Sequence, residues 1–105
     1  MEQPNITYIE HMSGGDKAFE QKLIGIIKAE FPEEKNTYFK NINADNFKEA
    51  AENVHKLKHK ISILGLLKSY DVAVNYEHNL VEGRSDGQLD FESILQNITN
   101  FLVTL

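Results

Sequence analysis

Apolar residues recur at intervals of three and four through most of this chain, and no stretch alternates apolar with polar residues in a sustained way. A helix buries a stripe at that spacing, whereas a half-buried strand needs a period of two. The pattern therefore predicts an all-α fold. Phe19, Leu23, Ile26, Ile27 and Phe31 form one stripe, and Tyr38, Phe39 and Ile42 resume it beyond Pro32. This predicts a long helix, kinked or broken near the proline. Phe47, Ala50, Ala51, Val54, Leu57, Ile61 and Leu64 form the next stripe. Asn46 is its expected N-cap, Glu49 is placed to reach back to the Asn46 amide, and Gly65 is the natural stop. Leu66 to Val81 reads as a further helix with Leu66, Tyr70, Ala73, Leu80 and Val81 as candidate core. After a loop over 83–87, Asp90 is the expected cap of a last helix that buries Phe91, Ile94, Leu95, Ile98, Leu102 and Leu105. Ahead of these, Ile6, Ile9 and Met12 suggest a short helix closed by Ser13-Gly14-Gly15. Ser13 and Asp16 offer a capping-box-like start to its successor. Four amphipathic helices on short turns can bury their stripes only against one another. The expected architecture is an antiparallel four-helix bundle with a short N-terminal helix as a lid, one domain over residues 1–105.

Composition narrows what such a bundle can do. The chain has no cysteine, which excludes disulfides and thiolate metal sites and fits a reducing compartment. With 16 acidic against 11 basic residues the formal charge is −5, a poor match to a nucleic-acid backbone. No apolar run approaches the roughly 20 residues that span a bilayer. Met1 to Glu10 lacks the basic-then-apolar pattern of a signal peptide. A cytoplasmic protein without nucleic-acid or membrane partners is expected.

The chemistry-bearing residues gather on the helix after Asn46. At about 100° per residue, His55 lies at the border between the apolar stripe and water. His59 and Ser62 follow on the same side at successive turns, and Lys58 sits three residues from His55. An imidazole is nucleophilic near neutral pH and can take a phosphoryl group on nitrogen. Lysine can meet phosphoryl oxygens as a mobile point charge. Glu77, on the following helix, either faces His55 and holds its ring nitrogen or is simply solvated. Ile63 points away from the core on the same wheel, an exposed apolar side chain beside the patch.

The stretch Val-His-Lys-Leu-Lys-His-Lys-Ile-Ser-Ile-Leu-Gly, residues 54–65, resembles the signature of histidine phosphotransfer domains of two-component phosphorelays. That signature runs His-x-Leu-Lys-Gly, four residues, then Leu-Gly, and this chain supplies His55, Leu57, Lys58, Leu64 and Gly65. Gly14-Gly15-Asp16 is similar to the family's start of its second helix. Asn46-Phe47 fits the start of the histidine helix, and Tyr76-Glu77 falls where the family often has Leu-Glu. The resemblance implies a carrier that takes a phosphoryl group on His55 from a receiver-domain aspartate and passes it to another. Lys58 is then the support of that group, while the exposed position of Ile63 beside the patch itself suggests a docking contact, together with Ser62. The resemblance implies no kinase or ATPase activity and no cofactor, since any Mg²⁺ belongs to the receiver. The implied partners are response-regulator receivers and an upstream hybrid sensor histidine kinase. A monomer is expected, and Met1 with no linker before the first helix favours a free carrier. His59 departs from the family, which has a small residue there; it adds bulk where a receiver docks and a possible second donor.

Two other readings compete. A helical interaction module could keep this fold and bind a partner without phosphotransfer. His55 and His59, four apart with Glu52 one turn earlier, also fit a metal clamp. Lys56, Lys58 and Lys60 on the same helix disfavour a cation there. His11 and His78 read as ordinary surface residues.

Overall fold

A computed structural model describes residues 2–105; Met1 lies outside them. Five helices follow in order: α1 Thr7–Ser13, α2 Lys17–Asn43, α3 Phe47–Ile63, α4 Leu67–Val81 and α5 Gln88–Leu102. No strand occurs among the described residues. The four long helices form an antiparallel bundle. α3 packs against α2 on one side and α4 on the other, α4 packs against α5, α5 meets α2, and α1 lies on α2.

The predicted stripes of α3 and α5 are the buried ones: Ala50, Ala51, Val54, Leu57 and Ile61 in α3, and Phe91, Ile94, Leu95, Ile98 and Leu102 in α5. Leu105 lies beyond α5 and is exposed, with its carbonyl accepting from the Lys28 ammonium. In α4 the buried face runs Ser69, Ala73, Tyr76 and Leu80. Val81 turns outward and Tyr70 is half-buried.

α2 departs from the sequence reading in its buried face, and of the two readings at Pro32 it excludes the break. It runs unbroken through Pro32. Pro32 has no N–H for the Lys28 carbonyl, but both residues lie on the solvent face, where water can serve the freed oxygen. Phe31 beneath them is 1% exposed and anchors the helix across the gap. The buried apolar residues are Ile24, Ile27, Phe31, Tyr38 and Ile42, with Glu20 buried ahead of them, while Phe19 and Ile26 are exposed. At 27 residues α2 spans about 40 Å, against about 25 Å for α3. Its first turns pack against α1, and Leu23 and Ile26 there share a hollow with Ile63 of α3.

The caps also differ from the sequence reading. Ser13 donates to the Ile9 carbonyl, and Asp16 alone caps α2 by accepting from the Phe19 amide at 3.1 Å. Asn46 occupies the cap position of α3 but its side chain makes no capping bond. Its N–H is already given to the Asn41 carbonyl, so Glu49 has no amide there to receive. α5 starts at Gln88 behind Gly87, whose φ of 95° suits glycine, and Asp90 falls within the first turn. There its charge still complements the helix dipole.

The cap of α4 comes from far away in sequence. Both Glu2 carboxylate oxygens accept from the helix start, one from Lys68 N and one from Ser69 N, each at 2.8 Å. The Glu2 carbonyl accepts from Asn97 of α5, and Asn5 donates its amide to Leu64 at the end of α3. Residues 2–5 thus tie three helices together at one end of the bundle. Burial works to raise the Glu2 carboxyl, but the Lys68 and Ser69 hydrogen bonds outweigh it and hold the group below the usual range.

Candidate functional site

α3 is the central helix, flanked on both sides, so a side chain on its outer edge stands on a firm base. His55 follows the fully buried Val54 and comes two residues before the fully buried Leu57, at the α3–α4 seam. Its side chain is 54% exposed. Nδ1 lies 3.1 Å from Glu77 Oε2 of α4. A carboxylate only accepts, so this hydrogen bond requires the proton on Nδ1. In the neutral ring the lone pair is then on Nε2, the nitrogen outside that contact.

Glu77 has a second partner. Its Oε1 is 3.0 Å from the Lys58 ammonium, an ion pair held by charge because the angles are not those of a hydrogen bond. The Lys58 side chain is only 13% exposed. Its stem lies against the protein, and its ammonium stands 5.9 Å from the centre of the Tyr70 ring. One carboxylate of α4 therefore orients both the imidazole and the lysine of α3. The His59 ring stands perpendicular to that of His55, with centroids 5.0 Å apart. Ser62 is exposed one turn further on.

Ile63 is not the exposed residue expected from the helical wheel. It is half-buried against the core and shares a small hollow with Met12, Leu23 and Ile26. The wheel accounts for the α3 seams with α2 and α4, but not for the chain that crosses the end of the bundle. His55, Glu77, Lys48, Glu52 and Lys56 line a shallow open concavity on the α3–α4 face. His78 pairs with Glu82 at 3.0 Å, and His11 is exposed. Among the described residues no group of three or more His, Asp or Glu side chains is arranged to hold a metal ion. None of the helices formed by these residues is long and apolar enough to cross a membrane.

Two features escaped the sequence reading. The Lys58–Glu77 pair depends on the register between α3 and α4, although a lysine three residues from His55 was a usable hint. The other is a polar chain inside the bundle that joins α2, α4 and α5. The Tyr38 and Tyr76 hydroxyls are 2.7 Å apart, and Tyr38 donates to Glu92 at 2.9 Å. Burial first, then the Tyr76 and Glu92 contacts, push the Tyr38 phenol far above its usual range. These tyrosines are donors in the core, remote in role from the histidine. Comparison with family models, with curated proteins and with solved structures finds no match to this chain.

Proposed function

We propose that this bundle is a histidine phosphotransfer domain, a phosphorelay intermediary with His55 as the residue that carries the phosphoryl group. The observation that carries the reading is the His55 ring: exposed, held at Nδ1 by Glu77, and left with Nε2 free of that contact. The signature-like spacing of His55, Leu57, Lys58, Leu64 and Gly65 supports it.

The step balances without a cofactor on this chain. The Nε2 lone pair attacks phosphorus on a receiver phospho-aspartate and the N–P bond forms. The aspartyl O–P bond breaks and the receiver carboxylate leaves with its electron pair. The His55 ring becomes an imidazolium whose Nδ1–H points to Glu77, which offsets the new positive charge. Return transfer to another receiver aspartate reverses these events. Such transfers depend mainly on positioning and charge stabilisation. Lys58 is the nearby cation for the phosphoryl oxygens, and Mg²⁺ is the receiver's contribution. The domain is a carrier rather than an enzyme, monomeric and cytoplasmic, and its partners are response-regulator receivers and an upstream hybrid sensor kinase.

The test is phosphoryl transfer from a panel of phosphorylated receivers to the parent and to His55→Gln. Acid-labile, base-stable label on the parent alone is the expected result. Label on the variant would refute the assignment to His55. No label on the parent from any receiver would leave a helical interaction module as the better reading.

A further inference from the structure

We infer that His59 is a positioning residue for phosphoryl transfer: its ring buttresses the His55 imidazole so that Nε2 stays aimed outward. This deepens the phosphotransfer reading and rests on it. The Glu77 hydrogen bond fixes one atom of the His55 ring, Nδ1. One such contact leaves the ring able to swing about that anchor, and the side chain is 54% exposed. His59, one turn later on the same rigid helix, supplies the second restraint. Its ring meets that of His55 at 90° with a centroid separation of 5.0 Å, the edge-to-face arrangement aromatic pairs prefer. Two restraints from different directions, one from α4 and one from α3, hold a ring that has two side-chain torsions.

The contact uses the shape and quadrupole of a ring and needs no proton on His59. That separates it from two other roles for the same residue. A donor to the phosphoryl group would require the ring nitrogens. A docking contact would require a receiver.

These roles come apart with a small donor. Phosphoramidate gives its phosphoryl group to a nitrogen nucleophile and releases ammonia, with no docking surface involved. The experiment measures the saturating rate and half-saturating concentration for phosphoramidate and for a phosphorylated receiver. The proteins are the parent, His59→Ala and His59→Phe, with circular dichroism to confirm that all three are folded. Alanine removes the ring at an exposed helical position without a helix-propensity penalty. Phenylalanine restores a ring without nitrogen.

The expected result is that His59→Ala labels His55 from phosphoramidate on the order of three- to tenfold more slowly at saturation, because fewer rings are correctly aimed. Half-saturation should be unchanged, and His59→Phe should recover the rate to within about twofold. The Nδ1–H signal of His55 in nitrogen-15 spectra should broaden in the alanine variant and sharpen again in the phenylalanine one. Parental labelling by His59→Ala overturns the inference. So does a phenylalanine variant as slow as the alanine one, which would assign the effect to the imidazole nitrogens. A change seen only with the receiver overturns it in favour of docking, with the His55 reading intact. Failure of the parent to accept from either donor brings down both.

Discussion

Lys58 is the residue whose removal separates chemistry from stability. The ammonium pairs with Glu77 while the side chain is 13% exposed, and Glu77 is 23% exposed. Lys58→Met keeps an unbranched stem and removes the charge. It leaves Glu77 with the His55 contact alone, in a setting where water reaches only part of the carboxylate. Breaking a fully buried pair from one side costs about 3–5 kcal/mol, and an exposed pair is worth about 1 kcal/mol or less. This pair lies between those limits, so Lys58→Met should destabilise by about 1–2 kcal/mol. Lys58→Ala also removes apolar stem, at about 0.8 kcal/mol per buried methylene, and should lose about 1–2 kcal/mol more. Both losses leave a folded domain if the parent has the ordinary 5–15 kcal/mol. In urea the midpoint should fall by about 1 M for Met and more for Ala, with unchanged slope.

The effect on transfer follows from a different number. A charge-assisted contact to the phosphoryl group of about 1.5–3 kcal/mol corresponds to about 10–100-fold in rate. Both variants should show that loss equally, because both lack the ammonium, while their stabilities differ. Rates would be read from labelled transfer under conditions where both variants are fully folded. A Met variant that transfers at the parental rate would refute the reasoning and make the Lys58–Glu77 pair purely structural.

Other perturbations reach either the Glu77 contact or the bundle that carries it. Glu77→Gln should lower the fraction of His55 carrying its proton on Nδ1, measurable by nitrogen-15 chemical shifts, and slow transfer at least as much as Lys58→Met. An unchanged tautomer ratio would remove Glu77 from the mechanism. Gly65→Ala should destabilise by about 1–3 kcal/mol, because φ is 78° and the new Cβ would lie 2.6 Å from Asn5 Nδ2. Adding Asn5→Ala should relieve the clash but not the strained φ, so complete recovery in a urea titration would contradict this account. Glu2→Gln should cost about 0.5–2 kcal/mol as a lost helix cap. Since the folded Glu2 carboxyl lies below its ordinary 4.5, its contribution is fully present above that pH and is lost as the pH falls through the lower folded value. The parent and Glu2→Gln should therefore converge in stability only at acid pH; a constant difference would deny the carboxylate its role. Tyr38→Phe should cost about 1–2 kcal/mol by removing a buried hydroxyl from the Tyr76–Glu92 chain, yet leave phosphoryl transfer unchanged.

What the sequence made legible divides by how many elements a feature needs. The clustering of His55, Lys58, His59 and Ser62 follows from the geometry of one helix, so spacing alone brings them to one edge of α3. The same is true of Val54, Leu57 and Ile61, whose burial follows from one period. A feature that needs two elements was legible only as a pair of alternatives. Glu77 was recognisable as a carboxylate on the next helix, but whether it met His55 or water depended on the register of α3 against α4. A one-residue rotation of α4 would have turned it away. A feature that needs a distant segment was not legible at all. Nothing within Leu66–Ser69 announces that Glu2 will cap it, and nothing near Ile63 says that α1 and the overlong start of α2 will shelter it. Local capping rules failed at Glu49 for a related reason: the Asn41 carbonyl had already taken the Asn46 amide that Glu49 would have reached. The arrangement of the site follows this order. α3 supplies the nucleophile and the cation by its own periodicity, and α4 supplies the carboxylate that orients both. The far end of α4 is held in place by Glu2, through the helix start rather than through the site. Loss of the Glu2 cap should then lower stability while leaving the His55–Glu77 contact formed in every folded molecule, whereas loss of Glu77 acts on the chemistry directly. Transfer measured per folded molecule distinguishes the two, and a Glu2→Gln protein that is fully folded but slow would show that the register of α4, and with it the aim of Glu77, depends on that cap.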